Sequence, residues 1–432
     1  MPRGKRAGIL IAGGGVAGSL AALAMARLRP DVPVTIVAES DRFGGAATHF
    51  LFADGLDAAA RDLMRDAGAH AWRGFYLAFP GLARKLKADL LGLAPDALHE
   101  AMVATLDPQQ YGLGTKVVAV RDDALVLDGG EELRAEGTID ARGAANLSML
   151  ELIHDARLER ICRLAAPHGL DRPVLFDATA GSGASLAWTQ VFPLGADRLA
   201  VAEVALSERT QPDADAADRL DAYLARRGWR VAEVESERVV ARPLPLGGDF
   251  AAFWRIGGAR VAKLGLRGGF FDPFGGPCAA DALANALLLA AQRDFSGPTL
   301  HDAFEAHARQ LWRRRAGRRE LNAAFAAASP EARGAMLARI AALDPGPPWR
   351  IAAASSAPCA ADTWATPRIG RSQGRLALAA PSAKTRPCTP SAARSPSPPS
   401  PSPCCRSAPA TRWGWDAEAA AGRSRRATSR AT

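Results

Sequence analysis

An α/β fold, built on a parallel sheet and interrupted by an antiparallel one, is what this sequence predicts, on three observations. A short apolar stretch, residues 8–12, runs into Gly13-Gly14-Gly15-Val16-Ala17-Gly18 and then into helical periodicity through Arg27. A second apolar stretch, 34–38, ends on an acid, Glu39, about 20 residues past the glycines. Much later, 264–290 repeats the order of apolar strand, Gly/Pro-rich turn and helix.

The glycines have the spacing G-x-G-x-x-G in the strand, turn and helix context that a Rossmann-like dinucleotide site requires. Gly13 permits the tight turn, Gly15 lets the backbone approach a diphosphate, and Gly18 lets the helix pack closely on the strand. The start of the helix then offers N–H groups and a positive dipole end to phosphate oxygens. Glu39 is positioned to accept ribose hydroxyls, against the plainer alternative of a solvated strand end.

FAD rather than NAD is the expected ligand, because three separate segments face such a cofactor. After the second strand comes SDRFGG, with Arg42, the kind of turn that flavoprotein reductases and hydroxylases carry there. The segment 137–143 (GTIDARG) has the form of a strand returning the chain to the nucleotide domain. The late turn, with Asp272 and Gly276, supplies a further set of backbone N–H groups; Asp272 is either a flavin ligand or a turn cap.

Composition narrows the function. The chain has 432 residues and is 48% apolar, enough for a sizeable core and two or more domains. Its net charge of +9 comes wholly from the end, where twelve Lys or Arg stand against three Asp or Glu after Arg350. The preceding body is neutral, so the charge gives no support to a nucleic-acid partner. Cys162 and Cys278, far apart in the body, read as buried thiols in a reducing cytoplasm. The histidines are scattered without metal-ligand spacing, so no metal is expected, and no G-x-S-x-G elbow marks a hydrolase. No apolar run is long enough to span a membrane. The basic run 313–319 (RRRAGRR) is a solvated helix face or a contact for anionic lipid at the inner side of the membrane.

The stretch 167–194, PHGLDRPVLFDATAGSGASLAWTQVFPL, followed in order by DRLAVAEVALSE, LDAYLARRGW and ARPLPLGGDFAAFW, resembles the bacterial lycopene cyclase family. The late GGFFDPFGGP turn and Trp72 with Phe79 and Pro80 add to the resemblance, which runs from about residue 8 to about 345. It implies an FAD-dependent intramolecular lyase, an isomerase of carotenoid biosynthesis. Such an enzyme protonates the ends of a linear carotenoid and closes β-rings without net redox change, with the flavin kept reduced by NAD(P)H.

Departures from the family pattern bear on activity. Ala202 and Val204 replace an acid and a threonine of the family, leaving Glu203 as the carboxylate of that segment and the expected catalytic acid. GAATH at 45–49 and SLAW at 185–188 have lost polar side chains of the family, and the family's His-Pro is Asp272-Pro273. Two other functions therefore stay open: an FAD-dependent monooxygenase or other oxidoreductase, and a non-catalytic flavin or carotenoid binder.

The expected organisation is an FAD domain of 8–165 and 260–345, and a substrate domain of 166–259 with a helix near 220–227. The Ala/Ser/Pro/Arg-rich 346–432 is expected to be disordered, its abrupt change of composition pointing to a shifted reading frame near 345–350.

Overall fold

The computed structural model describes residues 8–179, 187–256, 260–271 and 279–329, isolated positions from 331 to 339, and the backbone of 369–372 and 375–378. Ile9–Ala12 (β1) is buried along its length, as a strand covered on both faces must be. It lies between Val34–Val37 (β2) and Gly137–Asp140, parallel to both, with Ile11 opposite Ile36 and Ile139. Ala262–Lys263 and Tyr111–Gly112 complete a five-stranded sheet on its two edges. The order places β1 where the chain leaves in opposite directions, the position at which open α/β sheets form their ligand crevice.

The helix Val16–Leu28 (α1) buries Leu20, Ala21, Ala22, Leu23, Ala24 and Met25 completely, and packs on the alanine-rich helix Ala279–Ala290. Small side chains let these two axes approach closely, with Leu283 and Leu289 filling the remaining space in one core.

The second sheet has eight strands, in the order Val231–Gly248, Leu150–Leu164, Arg198–Ser207, Ala187–Pro193, Val174–Asp177, His70–Phe79, Leu82–Leu93 and His49–Phe52. Its pairings are antiparallel except that of Val174–Asp177 with His70–Phe79. The sequence assigned 166–259 to this sheet, yet four of its strands precede residue 166. The cause is pairing: Leu150–Leu164 is bonded on one side to Val231–Gly248 and on the other to Arg198–Ser207. A smaller antiparallel sheet is formed by Val117–Val120, Ala124–Leu127 and Glu132–Arg134.

Alternation along the strands separates the faces of the large sheet. The helix Ala216–Arg226 covers one face through Leu220, Tyr223 and Leu224, which meet Leu158, Val191 and Val201. The other face is aromatic, with Phe50, Trp72, Trp188 and Phe192 clustered around Ala200, Ala202 and Val204.

Cys162 is a buried thiol, as expected, while Cys278 lies outside the described residues. The basic run is not one solvated face: the helix Gly297–Arg314 ends inside it, and Arg315 turns into the core beside Asp281. Most of 346–432 also lies outside the described residues; the backbones of Ile369–Ser372 and Arg375–Leu378 pair antiparallel.

Candidate active site

Gly13 takes φ +112° where the chain leaves β1, and its N–H donates to Val37 O at 2.7 Å, tying the turn to β2. A Cβ on Gly18 would stand 1.9 Å from Gly13 O, so a side chain there collides with backbone. Among the described residues, a Cβ on Gly15 would meet nothing within 4 Å. Gly15 also caps α1 in extended conformation with no side chain bonded to the helix start.

The segment carrying Arg42 closes over this turn. Gly44 N–H donates to Gly14 O at 2.9 Å, and a Cβ on Gly45 would lie 3.8 Å from Gly15 Cα. Gly44 and Gly45 both hold positive φ, +96° and +80°, which makes this close approach possible. Arg42 and Glu39 are exposed beside it. Asp272 and Gly276 lie outside the described residues.

One feature of this edge had only a strand signature in the sequence. Asp140, buried at the end of the strand beside β1, holds Arg142 at 2.8 Å and Arg267 at 3.3 Å. Its hydrogen bond raises the Arg142 pKa, and Glu39 adds to the effect. The acid and two guanidinium groups therefore form a charged edge on the same side as the glycine turn.

Glu203 does not face the aromatic side. It follows Ala202 by one residue, so it points to the opposite face, where Arg219 of the covering helix donates to its Oε1 at 2.6 Å. Burial pushes the Glu203 pKa up, and the Arg219 bond opposes that. The carboxylate expected from sequence is thus occupied by an ion pair beneath a helix, and Ala202 is the residue of the pair that meets the aromatic cluster.

Across the strands on Ala202's own face stand two polar residues the sequence did not single out, Glu159 on one side and Gln190 on the other. Glu159 Oε1 accepts from Thr48 N–H at 2.7 Å, in the segment that follows Gly45. Burial pushes its pKa up, against the pull of Arg157. It borders a cleft of about 270 Å³ whose walls include Arg42, Phe43, Ala46, Ile161 and Arg238.

Along the same strand face from Glu159 runs a buried ionic row. Arg157 donates to Asp155 at 2.6 Å and to Gln190 Oε1 at 3.2 Å, and Arg242 donates to the same Asp155. His49 lies close enough to Arg157 to feel its charge; burial first, and Arg157 second, lower its pKa to about 4. Among the described residues no group of His, Cys, Asp and Glu could hold a metal, and no helix is long and apolar enough to cross a membrane.

These elements define an α/β fold of the Rossmann-type FAD-binding class. Solved structures share it: a geranylgeranyl bacteriochlorophyll reductase-like protein from Thermoplasma acidophilum matches with TM-score 0.56 at 16% identity, covering 78% of this chain and 92% of that one. A flavin-dependent halogenase from Xanthomonas campestris matches with TM-score 0.51 at 15% identity, covering 74% and 77%. The model of the family "lycopene cyclase protein" matches residues 8–352, and the chain belongs to that family. It is 28% identical over 315 residues to a lycopene beta-cyclase of Pseudescherichia vulneris, covering 73% of this chain and 81% of the relative.

Proposed function

We propose that the protein is an FAD-dependent carotenoid cyclase, an intramolecular lyase that converts ψ-ends of lycopene to β-rings. The observation that carries this reading is the family match over 8–352, which takes in both the glycine turn and the aromatic face of the large sheet. The residues at the turn fit a dinucleotide. Gly15 leaves room for a diphosphate at the first turn of α1, Gly13 and Gly18 allow the close packing, and Glu39 lies at the strand end suited to a ribose. Arg42 would meet phosphate, and Asp272 and Gly276 complete the proposed set of flavin contacts. Reduced FAD, maintained by NAD(P)H, would supply negative charge beside a carbocation.

What the chain itself contributes is a dry apolar wall and a source of protons. Phe50, Trp72, Trp188 and Phe192 exclude water from a polyene end, and their π-faces favour a developing cation. A neighbouring double bond attacks the cation left by protonation and closes the ring, and loss of a proton from the adjacent carbon then forms the ring double bond without net oxidation. Peripheral contact with a membrane, through the exposed arginines of 313–319, would admit so apolar a substrate.

Expression in a lycopene-accumulating bacterium tests the reading. Appearance of γ- or β-carotene in extracted pigment supports it. A purified protein that retains no flavin, or one that consumes oxygen with NADPH and leaves lycopene linear, would give way to a non-catalytic binder or a monooxygenase respectively.

A further inference from the structure

We propose that Glu159, facing Ala202 across two paired strands on the aromatic side of the large sheet, is the proton donor of this site. The assignment rests on the cyclase reading above. It follows from register. Glu159 pairs with Ala202, and a methyl side chain at 202 leaves the longer Glu159 side chain the space in front of that strand. Ile161, two residues on and so on the same face, belongs to the aromatic cluster with Phe50 and Phe192. The carboxyl group thus stands between that aromatic cluster and a cleft lined by Phe43 and Ala46 together with the charged Arg42, Asp96, Arg198 and Glu235.

The bond from Thr48 N–H fixes one oxygen of Glu159, leaving the group oriented by backbone. Thr48 belongs to the segment that begins with Gly44 and Gly45, which pack against the glycine turn. Glu159 is therefore linked by a short path of backbone to the proposed diphosphate site. Burial favours its neutral form, the state an acid needs before it can give up a proton to a carbon–carbon double bond. Arg157 is engaged by Asp155 and Gln190, which keeps its charge from being spent on Glu159 alone.

The step balances. The Glu159 O–H bond breaks as a C–H bond forms at the terminal double bond, and the resulting tertiary cation is attacked by the neighbouring π bond to make the ring C–C bond. The ring then loses a proton from the adjacent carbon, which restores Glu159 to its acid form. No electron is gained or lost.

The test uses the full chain with flavin bound, supplied with lycopene in detergent micelles under reducing conditions. Glu159→Gln keeps an oxygen for Thr48 N–H, so it should hold wild-type flavin content and melting temperature while the cyclisation rate falls by about 100-fold or more. Glu203→Gln should keep the wild-type rate within about 3-fold, since its carboxylate is turned to Arg219. Adding Ala202→Glu to Glu159→Gln returns a carboxyl group to the same face and should recover at least about a tenth of the rate. If Glu159→Gln does not fold, Glu159→Asp is read instead; withdrawing the carboxyl group by one methylene should cost about 10-fold or more. Full activity in the folded Gln or Asp variant, with wild type active, overturns the assignment alone. Wild-type protein that binds flavin and leaves lycopene unchanged overturns the cyclase reading and this assignment together.

Discussion

Arg315 and Asp281 are joined by two hydrogen bonds, of 2.6 and 2.8 Å, with both side chains almost wholly buried. Arg315 also donates to Phe271 O at 2.6 Å, so it binds the start of the helix Ala279–Ala290 to the chain segment just before the late turn. A charge pair in such a place stabilises little by itself, but either partner alone is costly. Arg315→Leu should lower unfolding free energy by about 3–5 kcal/mol, through a buried carboxylate left without its partner. Arg313→Gln, a few residues away on the exposed surface, should change it by less than about 0.5 kcal/mol in the same denaturant titration.

Gly15 and Gly18 should separate folding from ligand binding. Among the described residues a methyl group on Gly15 meets nothing within 4 Å, whereas one on Gly18 lands 1.9 Å from Gly13 O. Gly15→Ala should therefore melt at the wild-type temperature and lose flavin affinity by about 10-fold or more, since its Cβ enters the space proposed for the diphosphate. Gly18→Ala should lose both stability and flavin. Differential scanning fluorimetry with a flavin titration reads the two effects; equal flavin affinity in Gly15→Ala and wild type would remove the turn from the cofactor site.

His49 should make the fold acid-sensitive. Its pKa is lowered from 6.5 to about 4 in the folded chain, so between those values the unfolded chain binds a proton that the folded chain does not. Stability attributable to this residue is complete above about pH 6.5 and is lost as pH falls toward 4. His49→Gln, which cannot titrate, should flatten the fall in urea-unfolding free energy across that interval; an unchanged slope would place its origin elsewhere.

Cys162 should be chemically silent. Burial raises its thiol pKa to about 11 and leaves no surface for attack. In native protein at pH 8, a maleimide should leave Cys162 unlabelled by peptide mass mapping, and label it once urea unfolds the chain.

The sequence made the glycine turn legible because its requirements are local: a strand, six residues and a helix follow one another, and Gly13, Gly15 and Gly18 take up the conformations their spacing implies. Orientation within the large sheet was not legible in the same way. Reading Val201-Ala202-Glu203-Val204 along the chain does not tell which alternate side chains meet the aromatic face, and a difference of one residue reverses the answer. Glu159 gave no signal because its neighbours come from other strands; Thr48, its hydrogen-bond donor, is 111 residues away. Arg315 was hidden for a similar reason, since its partner Asp281 lies on another helix and composition alone made it one of a basic run.

The interleaving of the two main sheets limits how this chain can be cut or assembled. Passing from one end to the other, the backbone enters the parallel sheet at Ile9–Ala12, crosses to the large one at His49–Phe52, returns at Tyr111–Gly112, and crosses again at Leu150–Leu164. Neither sheet is built from a stretch of chain that does not also supply strands to the other. An excised fragment of 166–259 would carry unsatisfied strand edges and aggregate. During synthesis, the ribosome must deliver more than half of the polypeptide before either layer can close, which makes slow folding the expected cost of this topology.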